Sequence, residues 1–155
     1  MLHPLTRRGR RLATTIAVAG VLSLLTGIAT AGLVSSLGVA KRTISGKSTT
    51  IVVDRRGDAV YELSGESLAH LQCVTSQCLK LWPPVEVRSA GIRPPVAKGV
   101  PGPLSILRRV KGDLYQVMLD RHPLYFYSGD AKPTGSIKGQ GVNSFGGTWH
   151  VVKAG

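Results

Sequence analysis

The sequence predicts a small all-β domain, and three observations support this class. Runs rich in β-branched and aromatic residues are separated by turns of glycine, proline and aspartate. No segment after residue 80 repeats apolar residues at helical spacing over three turns. The strand–turn–strand pattern of residues 51–63 recurs at 116–127. We therefore expect one antiparallel domain built from two degenerate repeats, related by a pseudo-twofold axis and packed around a shared core.

Short β-rich runs place the strands along the chain. The turn Lys111-Gly112-Asp113 joins two of these runs into a predicted hairpin. Pro83-Pro84 makes another run an edge strand or a strand end. The expected strands are, in chain order, 50–63 with a central turn, 79–87, 104–109, 114–119, 124–127 and 148–152.

The N-terminal part, residues 1–40, predicts an apolar helix that acts as a signal peptide or a signal anchor. Four arginines between positions 7 and 11 precede an uncharged run over residues 12–40. A basic run followed by an apolar run is typical of export. The run exceeds the roughly 20 residues that a membrane span needs, and Ala29-Thr30-Ala31 offers a cleavage site. Cleavage and retention both stay open, and either places the domain outside the cytoplasmic membrane.

The rest of the chain is expected to divide into a tether and a two-copy domain. Residues 41–49 lack an apolar period, which predicts a tether before a domain at 50–155. Copy one is expected at about 50–87 and copy two at about 104–153. The joining residues 88–103 are rich in glycine and proline and predict a linker loop.

The two cysteines, Cys73 and Cys78, predict one structural disulfide, because they are close in sequence and lie in the exported part. Closing so short a loop stabilises the fold by about 2 kcal/mol. Free or redox-active thiols and a zinc half-site remain alternatives. The Cys-x4-Cys spacing differs from the Cys-x-x-Cys spacing of redox motifs.

Each half carries a tyrosine, an acid five residues later and a tryptophan further on. Tyr125 and Tyr127 share one face of a strand, and we expect them to pack in the core rather than to form a ligand platform. The acids are expected to accept backbone N–H groups at strand-to-loop corners. These residues are Tyr61, Glu66 and Trp82 in the first half, and Tyr125, Asp130 and Trp149 in the second.

These motifs resemble the secreted repeat family of unknown function, which is often found in bacterial lipoproteins. The segment Tyr125-Phe126-Tyr127-Ser128-Gly129-Asp130 carries the family's Tyr-x-aromatic-x-x-Asp pattern, and the resemblance covers roughly residues 50–153. It implies an exported bacterial domain of two repeats with no established reaction. The first copy departs from the pattern at Glu66. No cysteine follows the apolar run directly, so the lipid attachment of such lipoproteins is not expected here.

The chemistry-bearing residues predict a non-enzymatic envelope binding or interaction module without a cofactor. The sequence contains no recognisable nucleophile elbow, carboxylate pair or phosphate loop. The alternative is a redox-associated or metal-binding envelope protein that uses the cysteines or His122, His150 and Met118. These three residues are not spaced as ligands on one element.

The charge predicts anionic partners. The chain carries 20 basic and 8 acidic residues, a net charge of +12. Without the four N-terminal arginines, 16 basic residues still face 8 acidic ones, which leaves +8. Outside the cell, such a domain attracts anionic lipid headgroups or envelope polymers, and residues 12–40 provide the expected membrane contact. Nucleic acid is excluded by this location.

Overall fold

A computed structural model of the chain describes residues 33–34, 36–110, 113–130 and 135–155. These residues are mostly antiparallel β-structure with little helix, which confirms the all-β class. The elements are β1 (Leu37–Ile44), β2 (Lys47–Asp54), β3 (Tyr61–Leu63), α1 (Ser76–Leu81), β4 (Glu86–Val87), β5 (Leu104–Arg109), β6 (Leu114–Leu119), β7 (His122–Pro123), a 3₁₀ turn (Ser128–Asp130), β8 (Asn143–Ser144) and β9 (Gly147–Val151). The expected N-terminal helix falls mainly on residues 1–32, outside the described ranges. Within those ranges, no helix has the length and apolarity that crossing a bilayer requires.

The predicted tether at 41–49 is wrong, because these residues form the half of a β-hairpin that contains its turn. β1 pairs antiparallel with β2 over its whole length. Ser45 and Gly46 join the two strands with φ angles of 48° and 78°. Positive φ at both positions is the two-residue turn that matches the twist of a hairpin. Ile44 packs against the core. The domain thus begins before residue 50, and Leu37–Ala40 belong to it rather than to the apolar leader.

The run 79–87 is also not one strand, because its first residues belong to α1. Thr75 caps this helix, and its side-chain oxygen accepts a hydrogen bond from Cys78 N at 3.2 Å. Threonine is a favoured residue at this position, because it satisfies a free N–H group of the first turn. Only Glu86–Val87 remain a strand, after the two prolines.

Three small antiparallel sheets build the described domain. The first contains β1 and β2, and the second has the order β3–β9–β8. In the third, β6 pairs with β5 and with the short strands β4 and β7. Single bridges join the sheets, including Val53↔Ala59 and Tyr61↔Tyr125.

The core consists of two clusters of buried side chains on opposite faces of the strands. Ile51 and Val53 enter the first cluster, which also holds both tryptophans. Val52, which lies between them, enters the second cluster. Alternation of side chains along a strand produces this division. Because the second half of β2 is buried on both faces, Ile51-Val52-Val53 is a continuous apolar run rather than an alternating one.

Two rings of three backbone hydrogen bonds tie distant parts of the chain together. In the first ring, Val52 N donates to Val152 O at 2.8 Å, Val152 N donates to Val60 O at 2.9 Å, and Val60 N donates to Val52 O at 3.1 Å. The second ring has bonds of 2.7, 2.9 and 3.0 Å and runs, in the same order, through Val117, Val85 and Leu124. Each ring therefore combines a strand pair of one half with a residue that follows the tryptophan of the other half.

Candidate functional site

The two motif tyrosines lie side by side where the halves meet. Their backbones exchange two hydrogen bonds, from Tyr61 N to Tyr125 O at 2.8 Å and from Tyr125 N to Tyr61 O at 2.9 Å. The Tyr61 hydroxyl then donates to Asp130 Oδ2 at 2.5 Å. A tyrosine of the first half is thus bonded to the motif acid of the second half.

The Tyr125 hydroxyl belongs to a buried polar network. It accepts a hydrogen bond from Arg109, whose guanidinium also donates to Cys73 O at 2.7 Å and to the side-chain oxygen of Gln116. Gln116 in turn donates to Leu124 O at 2.7 Å. Arginine is seldom fully buried unless its donors are satisfied, and here the backbone and side chains of three elements satisfy them.

The acids hold backbone groups at the corners of the fold, as expected from the sequence. Glu66 Oε1 accepts from Gln72 N at 2.9 Å and from Cys73 N at 3.0 Å. Asp130 Oδ1 accepts from Lys138 N at 2.7 Å. Glu66 is almost completely buried; these donors satisfy its Oε1, while its Oε2 has no hydrogen-bond partner among the described residues. Both acids therefore have structural partners.

Burial raises the pKa of both motif tyrosines above the usual range. For Tyr61, the hydrogen bond to Asp130 and the negative charge of that carboxylate raise the pKa further. For Tyr125, the charge of Glu66 acts in the same direction, while the Arg109 cation lowers the pKa. Both hydroxyls therefore keep their protons near neutral pH, whereas a tyrosine that acts as a base or nucleophile must lose its proton.

These pKa shifts predict a loss of stability at alkaline pH. An unfolded tyrosine ionises near pH 10, whereas the folded tyrosines hold their protons to higher pH. The stabilisation that the raised pKa values of Tyr61 and Tyr125 give the folded state is therefore complete below about pH 10 and is lost as the pH rises above it. The free energy of unfolding should fall by up to about 2.7 kcal/mol per pH unit there. Denaturant titrations at several pH values, with phenolate absorbance, measure this slope; a constant midpoint across this range would contradict it.

Two tryptophans form the centre of the first core cluster. The Trp82 and Trp149 rings stack with centroids 3.8 Å apart and planes 5° apart. The Tyr125 ring meets the Trp149 ring edge-on, with centroids 5.0 Å apart, and the centroid of the Tyr127 ring lies 4.4 Å from that of Trp82. Both tryptophans are fully buried, as expected for side chains that fill a shared interior.

A glycine in the long C-terminal loop allows that loop to cover the aromatic cluster. A Cβ atom at Gly139 would lie 2.9 Å from the rings of Tyr61 and Trp82. Only glycine permits so close an approach of backbone to ring. The sequence Gly139-Gln140-Gly141 is thus a packing element in this structure. Gln140 Oε1 accepts a hydrogen bond from Val151 N at 2.9 Å and ties the loop to β9.

The predicted disulfide between Cys73 and Cys78 is present, with Cα atoms 5.5 Å apart and both residues buried. Replacing both cysteines by alanine should lower the free energy of unfolding by about 2 kcal/mol, because the closed loop is short. Denaturant unfolding with intact and reduced wild-type protein measures this difference. Reduction that leaves the midpoint unchanged would contradict the structural role, and labelling of both thiols without reductant would show that the bond is not formed.

The weak metal candidates are only partly brought together. His122 and His150 both line an open groove of about 510 Å³, together with Glu62 and Asp120, whereas Met118 is buried elsewhere. His122 Nδ1 lies 2.9 Å from Glu66 O, and His150 Nδ1 lies 3.3 Å from the Gln140 amide. Among the described residues, no three histidine, cysteine or acidic side chains are grouped closely enough to hold a metal ion.

Sequence reasoning missed two members of the buried network, Arg109 and Gln116. One signal was available for Gln116, because it occupies the position in its strand that Ile51 occupies in the first half. A polar residue at a core position needs a buried partner. Arg109 gave no comparable signal, since its neighbour Arg108 is exposed and the two are indistinguishable in sequence.

Comparison with known proteins gives a match, which covers the second half of the domain. Residues 108–153 match the family model described as a secreted repeat of unknown function. Neither the curated proteins nor the solved structures gave a match. The matched residues include β6, Tyr125 and Asp130 of the motif, and Trp149 on β9. The resemblance noted in the sequence is thus confirmed for this part of the chain, and residues 108–153 belong to the secreted repeat family of unknown function.

Proposed function

We propose that this chain is an exported, non-enzymatic module that binds anionic, phosphate-bearing surfaces of the bacterial envelope. The observation that carries the proposal is the separation of charge between the interior and the exterior of the domain. The side chains of the motif, two tyrosines and two acids, are occupied by contacts within the domain. The side chains that remain available to a partner are mainly cations.

The acidic side chains are largely occupied within the domain. Asp54 and Glu66 are buried, and Asp130 is bound by Tyr61. Asp58 and Asp113 form ion pairs with arginines. Ten exposed lysines and arginines of the described ranges form no ion pair: Lys41, Lys47, Arg55, Lys80, Arg88, Arg93, Lys98, Arg121, Lys138 and Lys153. Cations without an ionic partner therefore outnumber free acids on the described surface, which favours anionic partners.

We also propose that the domain is two repeats with swapped tryptophan segments. The two rings of backbone hydrogen bonds match residue for residue, and Tyr61 faces Tyr125 as a pseudo-twofold axis requires. The β1–β2 and β5–β6 hairpins start at equivalent pairs, Leu37↔Asp54 and Leu104↔Leu119. Copy one would then begin at Leu37 rather than at residue 50. Each copy places its tryptophan beside the strands of the other copy, so neither half has a complete core alone.

Binding to a soluble phosphate polymer tests the proposed function. The purified full chain in neutral detergent should bind poly(glycerol phosphate) but not neutral dextran. Raising the salt from about 0.05 M to about 0.5 M shortens the Debye length roughly threefold and should weaken binding by at least about tenfold. Absence of binding at low salt, or binding that salt does not change, would overturn the proposal.

A matched pair of variants separates charge from other causes. Lys41→Glu with Lys47→Glu reverses two exposed charges of the β1–β2 hairpin and should weaken polymer binding. Lys41→Arg with Lys47→Arg keeps the charges and should bind as the wild type does. Equal binding by both variants would remove this hairpin from the binding surface.

Export is tested separately from binding. A reporter enzyme that works only outside the cytoplasm, fused after Gly155, should be active with the full chain and inactive when residues 1–32 are deleted. The basic and apolar leader, the disulfide and the secreted family support this expectation. The mass of the mature protein then distinguishes cleavage near Ala31 from retention. Activity of the deletion fusion outside the cytoplasm would contradict the assigned role of the leader.

A further inference from the structure

The surface around Leu33 combines exposed apolar and basic side chains. Leu33 is 44% exposed, Ile92 is 44% exposed and Val96 is 49% exposed. A shallow groove of about 330 Å³ lies among Leu33, Ile92 and Pro94. Large apolar side chains grouped at a surface indicate an interaction site more strongly than single ones do. Arg88 and Arg93 also line the groove, and Val96 and Lys98 follow closely in the chain; we call these residues together the entry face.

The charge of the entry face is uniformly positive. Arg88, Arg93 and Lys98 are exposed, and the sequence contains no acidic residue between Val87 and Arg109. The acid at its border, Glu86, is half-buried, and its burial raises the pKa of the carboxyl group. Apolar side chains flanked by cations match a bilayer interface, where apolar groups reach the acyl boundary and cations meet phosphate.

The chain enters the domain at this face without a spacer. Leu33 bridges to Glu86, and Val34 N donates to Glu86 O at 2.8 Å. Leu37 is then held against the same loop, because its N–H donates to Pro95 O at 2.9 Å. Directly before Leu33, the sequence has only uncharged residues from 12 to 32. That is about the length of a membrane span.

We propose that the entry face rests on the outer surface of the membrane, with Ile92 and Val96 at the acyl boundary and the three cations on anionic headgroups. This inference rests on the proposed export and on retention of residues 1–32. The domain begins at Leu33, directly after the uncharged run. A membrane span that ends near residue 32 would therefore leave no residues to separate the folded domain from the bilayer. The partner of the entry face is therefore a lipid surface.

A fluorescent probe at position 92 tests the contact. The described residues contain no free cysteine, so Ile92→Cys provides a single labelling site for an environment-sensitive dye. The full chain is reconstituted in vesicles of phosphatidylcholine with phosphatidylglycerol. Spin-labelled lipid should quench this probe at least about twofold more strongly than the control probe, because the side chain lies at the interface.

The matched control is Leu68→Cys, an apolar position of nearly equal exposure, 43%. Leu68 lies at the opposite end of β6 from the entry face. Its N–H donates to Arg121 O, just after β6 ends, whereas Val87 pairs with Tyr115 near the start of β6. Arg88→Glu with Arg93→Glu should reduce quenching at position 92 toward the control value. Lys80→Glu on α1 should not change it.

The outcomes separate this inference from the proposed function. Equal quenching at positions 92 and 68 in a chain of full mass would overturn the entry-face contact while leaving anchoring and polymer binding intact. A mature chain that has lost residues 1–31 and stays in solution would overturn the premise of retention and the contact with it. Strong quenching at 92 without polymer binding would support the lipid contact and count against polymers as partners.

Discussion

Trp149→Ala should lower the free energy of unfolding by about 3–5 kcal/mol, which is the usual loss for removing a large buried aromatic side chain. Trp149 has no exposed surface. Its ring stacks on Trp82, receives the edge of Tyr125, and donates from Nε1 to Ser144 Oγ at 3.1 Å. Small domains have a total stability of about 5–15 kcal/mol, so this variant is expected to be partly or wholly unfolded.

Equilibrium unfolding in denaturant measures the loss, with Trp149→Phe as an intermediate. That variant keeps one ring in the stack and should lose less stability than the alanine variant does. Leu68→Ala, at an exposed apolar position, is the control and should change stability by no more than about 0.5 kcal/mol. A loss below about 1 kcal/mol for Trp149→Ala would show that the stacked pair does not hold the core together.

Arg109→Met should also cost about 3–5 kcal/mol, because it removes the cation from a buried polar network. The substitution leaves the Gln116 oxygen, Cys73 O and the Tyr125 hydroxyl without their donor. It also removes the cation whose charge opposes that of Glu66 at the Tyr125 hydroxyl. Unpaired buried polar groups keep the full cost of their lost hydration.

Arg108→Met provides a matched control one residue away. Arg108 is exposed and pairs with the exposed Asp113, so its loss should leave the denaturation midpoint close to the wild-type value. The double variant Glu66→Gln with Arg109→Met should lose less stability than the sum of the single variants, because neither charge is then left alone. If Arg109→Met leaves the denaturation midpoint as unchanged as Arg108→Met does, the buried network makes no net contribution to stability.

The features that sequence reasoning predicted are those with a local signal. β-branched runs and glycine turns gave the all-β class, and the short spacing of Cys73 and Cys78 gave the disulfide. The acids at the corners followed from the habit of carboxylates to accept nearby backbone N–H groups. The burial of Tyr125 followed from the aromatic run at 125–127, although residues 124–127 form single bridges rather than the expected strand.

The missed features depend on contacts between distant residues or on short elements. β1 carries Lys41 and Arg42, so its apolar positions showed no clean alternation. Its turn, Ser45-Gly46, is the one local signal for the hairpin, since glycine favours a tight turn. α1 has six residues, which is too short for a helical period to show. The link from Arg109 to Tyr125 spans 16 residues, and no local pattern specifies it.

The most direct test of the central claim is a double-mutant cycle between Tyr61→Phe and Asp130→Asn. The claim is that the motif residues of the two halves bond to each other and hold one core, rather than forming a reaction site. Unfolding free energies of the wild type, both single variants and the double variant give the coupling energy. We expect a coupling of about 1–3 kcal/mol, as for a hydrogen bond to a charged group. Coupling within about 0.5 kcal/mol of zero, with polymer binding lost in Asp130→Asn at unchanged stability, would contradict the claim and make Asp130 a binding residue.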